Sequence, residues 1–444
     1  MQNVDGVKIP KEFNWVDFTD PNFNKAFKMC YHGTDNLFIQ SRAGGGKSLL
    51  IKIISSMMNN VVVLSTTGTT AVELCSEKIA AKTVHSFLSL PPVPVIRPED
   101  LCNMSHKNKR VLNKAEIIII DEASMMSNNL FDMMCQKIQI LRQDRDIPRL
   151  ILFGDVMQLP PVLQTNDKIV VDYFNKEYNG KIMFFNSHYF KCLQFKTIYL
   201  RKSYRQEEQE FSDRLFEIGF NEHTQETIDY FNQRVISRPE FENKFNQYVF
   251  MSPTNAMVDK ENNAYIQKLI GKTEIYKASM SKSYPRGKTL NDDEVIIKEG
   301  AQVMCLVNNY SPDEEKNYTN GMIGEVTDLN KDEVKIKMSN GKEKVIGKST
   351  LYLYNIEVRN NRIEYIPEHW YKQIDCRIAR GITVHKSQGK TLDAAYVAIQ
   401  NWVPQSLVYV ALSRLKSLDG LGLARPLNLS DITVNQEAYE FLTC

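Results

Sequence analysis

Residues 41–48 read Ser-Arg-Ala-Gly-Gly-Gly-Lys-Ser, directly after the apolar stretch Asn36-Leu-Phe-Ile-Gln and before Leu49-Leu-Ile-Lys-Ile-Ile. This is a strand, a glycine-rich turn and the start of a helix. Backbone N–H groups in such a turn surround phosphate oxygens, the lysine reaches the terminal phosphates, and the serine hydroxyl helps hold Mg²⁺. The helix N-terminus adds its positive dipole end. Ala43, Gly44, Gly45, Gly46, Lys47, Ser48 and Leu49 are therefore candidate nucleotide-binding residues. Ser41 stands where the P-loop pattern expects its first glycine.

Residues 115–122 run Ala-Glu-Ile-Ile-Ile-Ile-Asp-Glu. Four consecutive isoleucines indicate a strand buried on both faces, as in a parallel sheet. Two carboxylates leave its carboxyl end, where open α/β sheets bind ligands. Asp121 would join Ser48 in holding Mg²⁺ through its water shell, and Glu122 would polarise an attacking water. An exposed acidic turn is the alternative for this pair taken alone. Together with the glycine-rich turn, it points to binding and hydrolysis of a nucleoside triphosphate.

The elements that must position these groups alternate strand and helix. Asn36–Ile39, Asn60–Ser65, Ile117–Ile120 and Leu150–Phe153 read as buried strands, and Lys47–Met58 and Ala71–Ala80 as helices. That rhythm predicts a parallel sheet with covering helices. Residues 88–112, with Pro91-Pro-Val-Pro and Lys107-Asn-Lys-Arg110, interrupt it and read as an inserted subdomain. A second α/β unit is expected from Lys196-Thr-Ile-Tyr-Leu onward, with a strand at Tyr248–Ser252 and a helix at Ala256–Leu269. From about residue 271 short β-branched runs alternate with the turn signals Asn320-Gly and Asn340-Gly, which predicts a small antiparallel barrel. The α/β pattern resumes near Ile374, so the barrel is read as inserted into the second unit.

Hydrophobic residues are 43% and charged residues 24% of the 444-residue chain, a balance that reads as soluble and globular, and the scattered cysteines read as buried or free thiols of a reducing, intracellular compartment. The net charge is only +2, so a nucleic-acid surface would have to be a local channel. The sequence shows no secretory signal, no 18-residue apolar run and no Cys-x-x-Cys pair among its eight cysteines. These features argue against a membrane span, a zinc site and a disulfide framework.

Further segments follow in a fixed order: Leu64-Ser-Thr-Thr-Gly-Thr-Thr-Ala71, Lys82-Thr-Val-His-Ser-Phe87, Phe153-Gly-Asp-Val-Met-Gln-Leu-Pro-Pro161 and Ser203-Tyr-Arg-Gln206. Asn320-Gly-Met-Ile-Gly-Glu-Val326, Ile382-Thr-Val-His-Lys-Ser-Gln-Gly-Lys-Thr391 and Gln405-Ser-Leu-Val-Tyr-Val-Ala-Leu-Ser-Arg414 complete the series. Together these segments closely resemble superfamily 1 (class B) helicases of the petite-integration-frequency (Pif-type) family, over roughly residues 20–425.

The resemblance implies an α/β fold of two RecA-like parallel-sheet motor domains. The first would span residues 1–190, with a wedge insertion at about 88–112. The second would comprise 191–270 and 372–444, with a Src-homology-3-like β-barrel inserted at 271–371. Lys47, Asp121 and Glu122 would be catalytic, and Gln158 would sense the γ-phosphate. Arg205 and Arg414 would be arginine fingers reaching across from the second motor domain, a surface ion pair being the alternative for each. Gly389 would join the nucleotide-binding residues, and with Gln388 it would couple nucleotide state to the strand. Thr67, His85, Thr254, Thr383 and His385 would contact a nucleic-acid backbone; a structural hydroxyl or histidine is the alternative at each. Phe87 offers either a stacking face to a base or a core ring. Lys107, Lys109 and Arg110 fall in the wedge or in a solvated turn. Two positions depart from the family pattern: Thr66 replaces a proline, and Asn22, Phe23 and Asn24 stand where a base-reading glutamine is expected.

The implied function is an ATP-dependent DNA helicase moving 5′ to 3′ on single-stranded DNA and unwinding duplex or forked DNA, with ATP and Mg²⁺, as a monomer in this core form. A translocase without useful unwinding and a slow nucleotide switch are the alternatives. Strand-separation and steady-state ATPase assays distinguish them.

Overall fold

The isoleucine run forms a strand in which every residue is buried. In the computed structural model, residues 3–443 are described except 5, 77–78, 102–103, 144–145, 162–166, 285–288, 290, 308, 310, 312, 360–361 and 400–402. The first sheet comprises β1 (Leu37–Ser41), β2 (Val61–Ser65), β3 (Lys82–Thr83), β4 (Ile117–Asp121), β5 (Arg149–Gly154) and β6 (Lys196–Leu200), in the order β3-β2-β4-β5-β1-β6. All five pairings are parallel. The register sets Ser65 opposite Asp121 and Gln40 opposite Gly154. The segments after β1, β2, β4 and β5 therefore leave one edge of the sheet, and this brings the glycine-rich turn and the paired carboxylates together.

The helices of this unit are α1 (Pro21–His32), α2 (Lys47–Met57), α3 (Gly68–Leu74), α4 (Val84–Leu88) and α5 (His106–Lys114). Three expectations change here. The helix expected at Ala71–Ala80 begins earlier, because Thr67 caps it by accepting from the Thr70 N–H, and it ends at Leu74. Lys196–Leu200 does not open a second unit. It pairs with β1 from Lys196 to Leu200 and anchors at its start through Lys196 N–H to the Asn36 carbonyl at 2.9 Å. The first unit thus runs past residue 190. Residues 88–112 have no core of their own: Leu88, Leu90, Ile96, Leu101, Val111 and Leu112 join Phe38, Ile118 and Leu152. Lys107, Lys109 and Arg110 lie on α5, capped by Ser105, rather than in a turn.

After α6 (Gln209–Gly219) and β7 (Val249–Ser252), α7 (Asn255–Lys268) leads into an antiparallel excursion. Its strands are β8 (Thr273–Lys277), β9 (Glu294–Lys298), β10 (Gln302–Cys305), β11 (Ile323–Leu329), β12 (Val334–Lys337), β13 (Glu343–Ile346), β14 (Lys348–Arg359), β15 (Arg362–Ile374) and β16 (Cys376–Ile378). They form three ladders, β8-β9, β14-β15 with Ser279–Met280 alongside, and β13-β12-β11-β10-β16. One core joins Tyr276, Ile297, Val303, Val326, Ile336 and Cys376. The expected barrel region thus continues to Ile378, and the β14–β15 hairpin was not anticipated. The chain then completes a second parallel sheet, β17 (Gly381–Thr383), β18 (Ala395–Val397) and β19 (Leu421–Leu423), in the order β17-β7-β18-β19. Helix α8 (Leu407–Leu412) is buried along its whole length.

Helix α9 (Gln436–Thr443) corrects the assignment of 372–444 to the second unit. Phe441 stacks on Phe185 of the first unit with centroids 4.1 Å apart, and lies 5.7 Å from Phe38. Tyr199 donates its hydroxyl to the Leu442 carbonyl at 3.0 Å, and the Asn186 amide donates to Glu437 at 2.8 Å. No helix among the described residues is long and apolar enough to cross a membrane. The described cysteines are free thiols, four of the six buried; Cys102 and Cys444 lie outside the described residues. Because Phe441 fills a ring cluster of the first unit, Phe441→Ala should lower stability by about 3 kcal/mol. Thermal unfolding of the two proteins measures the difference, and an unchanged midpoint would refute the docking role of α9.

Candidate functional site

The glycine-rich turn joins β1 to α2, and its geometry explains its composition. Ser41 is fully buried as the last residue of β1, in extended conformation, so a side chain is tolerated where glycine was expected; its hydroxyl donates to the Arg42 carbonyl at 3.0 Å. Gly44 has φ +77°, and a Cβ there would lie 2.6 Å from the Arg205 Cβ and 2.8 Å from the Ser203 hydroxyl. Gly46 has φ +87°, and a Cβ would meet the Phe23 ring at 3.2 Å. Phe23, from the segment that lacks the base-reading glutamine, is thus a buried ring packed under the turn. Lys47 and Ser48 open α2, so both sit at a helix N-terminus.

Asp121 ends β4 and is 1% exposed. Burial first, and then the charge of Glu122, push its carboxyl up to about 7, while Lys47 opposes the rise. A buried carboxylate crowded in this way gains from a nearby cation. Among the described residues no cluster of three acidic, histidine or cysteine side chains could hold a metal by itself. Asp121 and Ser48 nevertheless fit Mg²⁺, which binds through one or two carboxylates, waters and substrate phosphates.

Glu122 adopts φ +53°, ψ +39°, a left-handed conformation uncommon outside glycine. The departure at Thr66 matters here. Its hydroxyl donates to the Glu122 carbonyl at 3.0 Å, and its N–H reaches the Asp121 carbonyl at 3.4 Å. A proline at 66 would supply neither donor.

Behind β5, the Asp155 carboxylate accepts from Gln40 at 2.9 Å, from Gln158 at 3.0 Å and from the Tyr409 hydroxyl at 3.1 Å. Tyr409 lies on α8 of the second unit, so this buried carboxylate bridges the sheets. A Cβ on Gly219 would meet the Tyr409 ring at 2.9 Å, so α6 approaches that ring as only glycine allows. Gln158 is thus held by a partner from the first unit that is itself bonded to the second.

The direction expected for Arg205 reverses. The loop Ser203–Gln206 follows β6 and rests on the first unit: the Ser203 hydroxyl donates to the Ala43 carbonyl at 2.9 Å and the Tyr204 N–H to the Gly44 carbonyl at 3.0 Å. From there the Arg205 guanidinium reaches into the second unit, donating to Thr391 Oγ1 at 3.0 Å, the Ser413 carbonyl at 2.9 Å and the Gly389 carbonyl at 3.3 Å. Arg414, 1% exposed, comes from the second unit and donates to the Val410 carbonyl and the Ser413 hydroxyl. Burial, and then the charge of Arg414, disfavour the cationic form of Arg205. Among the described residues neither arginine forms an ion pair with a carboxylate. Two cations at the seam beside a glycine-rich turn fit a polyphosphate.

A cleft of about 390 Å³ opens beside this seam, lined by Thr67, Thr70, Glu122, His385, Lys386 and Gln388 among others. The Gln388 side-chain nitrogen is buried there with no hydrogen-bond partner among the described residues. Of the candidate strand contacts, Thr67 and His385 line this cleft, and Thr254 is exposed at the start of α7. His85 is half-buried on α4, and burial lowers its pKa. Two candidates are corrected. Phe87 is fully buried in the core and offers no stacking face. Thr383 is 4% exposed, and its hydroxyl accepts from the Lys386 N–H at 3.2 Å. The sequence reading missed Asp155, Tyr409, Thr70 and Lys386, although all four lie inside the segments quoted above, because order along the chain does not say which neighbours face a cleft.

Residues 23–228 match the model of the PIF1-like helicase family. Over 414 residues the chain is 29% identical to the ATP-dependent DNA helicase Pif1 of Campylobacter jejuni, covering 88% of this chain and 89% of that one. It superposes on Bacteroides Pif1 in complex with ADP-AlF4 with a TM-score of 0.86 at 26% identity, covering 96% and 97% of the two chains. Against Bacteroides Pif1 bound to single-stranded DNA the TM-score is 0.65 at 27% identity, with the same coverage.

The burial of Phe87 yields a direct check. Phe87→Leu should cost about 1 kcal/mol of stability and leave the affinity for a single-stranded oligonucleotide unchanged. A stacking role would instead weaken binding by about 1–3 kcal/mol, which a fluorescence titration resolves.

Proposed function

We propose that this chain, which belongs to the PIF1-like helicase family, is an ATP-hydrolysing DNA helicase that moves 5′ to 3′ along single-stranded DNA. The observation that carries the reading is the seam. A glycine-rich turn, a carboxylate pair and two arginines that have no carboxylate partner among the described residues converge where the sheets meet. Lys47 and the N–H groups at the start of α2 hold the β- and γ-phosphates. Ser48 and Asp121 would hold Mg²⁺, which would supply neutralising charge to the phosphates. Glu122, fixed by Thr66, orients and polarises the attacking water. Gln158, held through Asp155, sits by the γ-phosphate. Arg205 and Arg414 act on the charge that develops in the transition state.

Motion follows from the same contacts. Arg205 is bonded to three acceptors of the second unit. A γ-phosphate competes for that guanidinium, so binding and hydrolysis change how the two units hold one another. Each unit offers the strand its own contacts, Thr67 from the first and His385 from the second. Alternate loosening of these contacts advances the chain. The 5′-to-3′ direction is supported by the family resemblance. In this reading the α4–α5 segment serves as the wedge at the leading edge, and the β8–β16 region as a Src-homology-3-like guide. One chain carries both sides of the ATP cleft, so a monomer suffices for stepping. A similar solved structure nevertheless describes DNA unwinding at forked double-stranded DNA by two coordinating Pif1 helicases, and mass photometry on forked DNA would count the copies of this chain.

Glu122→Gln should bind ATP but stall its hydrolysis. Arg205→Ala should slow DNA-stimulated turnover by about 10³-fold or more while nucleotide affinity falls far less. A steady-state ATPase assay paired with nucleotide titration reads both, and parental turnover in Glu122→Gln would overturn the catalytic assignment. A duplex with a 5′ single-stranded tail should be unwound and one with only a 3′ tail should not. Efficient unwinding from the 3′ tail alone would reverse the polarity.

A further inference from the structure

Lys390 follows Gly389 in the segment that Arg205 grips, and it is 8% exposed. Its ammonium donates to the Asn320 side-chain oxygen at 3.0 Å. The Asn320 amide donates in turn to the Glu73 carboxylate at 3.0 Å. Three parts of the molecule meet in this row: α3 of the first unit, the Asn320-Gly321 turn of the β8–β16 region, and the second unit. The turn sits hard on its neighbour. Gly321 has φ +89°, and a Cβ there would lie 3.2 Å from the Thr391 carbonyl oxygen.

The chemistry of the row is unbalanced. Among the described residues Lys390 forms no direct ion pair, and its ammonium donates to a neutral amide oxygen. A buried cation without a counter-anion is costly. Glu73 stands across the amide rather than against the ammonium, and it borders the cleft, as Lys390, Arg377 and Lys386 do. Burial disfavours the charge on both Glu73 and Lys390, and each charge offsets part of that cost for the other across the amide. The same cleft carries Thr67 and His385, so a strand bound there runs past Lys390.

We propose that Lys390 is a phosphate ligand for the bound strand, masked without nucleic acid by Asn320 and kept in place by Glu73. A backbone phosphate supplies the direct anionic contact that Glu73, set across the Asn320 amide, does not make. It displaces the Asn320 oxygen, and its charge repels Glu73. Asn320 then loses the ammonium that ties its turn to the second unit. The proposal rests on the single-strand reading above, and the experiment separates the two.

Binding of a labelled oligothymidylate to the full chain is measured across about 50–200 mM salt. Lys390→Met keeps the apolar stem and removes the charge. It should weaken binding and lower the salt slope by about 0.7, the value of one phosphate contact on a single strand. Asn320→Ala should unmask Lys390 and tighten binding about threefold to tenfold, as freeing a partly masked site does. Glu73→Gln, which keeps the side-chain shape, should tighten binding in the same direction and guards against misfolding of the alanine variant. A parent slope intact in Lys390→Met overturns the ligand role. Weaker binding in both Asn320→Ala and Glu73→Gln overturns the mask. Absence of salt-dependent binding in the parent chain would instead defeat the single-strand reading itself.

Discussion

A guanidinium at the seam of two sheets needs acceptors, and the geometry here supplies them from only one side. Arg205 is seated on the first unit, with Gly44 packed against its Cβ, yet its three hydrogen bonds end in the second. Much else depends on that arrangement. Gly44 must lack a side chain, Gly389 and Thr391 must present their oxygens, and the loop after β6 must be short and fixed to the glycine-rich turn. The bonds are to neutral acceptors, each weaker than a charge-assisted pair. An anion of suitable size therefore has an advantage over the protein's own groups, and contact between the units becomes sensitive to what the cleft contains.

A second constraint acts on the reactive carboxylates. Glu122 holds a left-handed backbone conformation that costs of order 1–3 kcal/mol when unsupported. Thr66 offsets part of that cost with two donors from the neighbouring strand end. The same stretch continues into Thr67, which caps α3 and borders the cleft. In the proposed roles, the water-activating Glu122 and the strand contact Thr67 are thus joined through Thr66, so a disturbance at one is felt at the other without a long relay.

The sequence was most legible where chemistry is local. The glycine-rich turn, the isoleucine strand and the Asp121-Glu122 pair lie where residue type and spacing put them, because each depends on near neighbours and on the twofold or 3.6-fold period of its element. Long-range choices were less legible. Lys196-Thr-Ile-Tyr-Leu has the pattern of a buried strand, but pattern does not name its partner; Asn36 and Asp35 do, and they lie far away in sequence. Phe87 and Thr383 are residue types that suit a strand site, and only packing shows that the ring and the hydroxyl are turned inward. The direction in which Arg205 reaches depends on which sheet owns β6.

The placement of α9 has a consequence for how the chain comes into being. Its Phe441 completes a ring cluster whose other members, Phe38, Phe185 and Phe190, belong to the first unit. The bonds that pin the helix join residues 243 and 251 positions apart. During synthesis the first unit can order its parallel sheet early, but its aromatic pocket stays open until the second sheet and α9 have followed. The nascent first unit therefore presents a sticky apolar slot for most of translation, the kind of surface that chaperones cover. Closure of that slot is a late folding event that fastens the end of the chain to the first sheet.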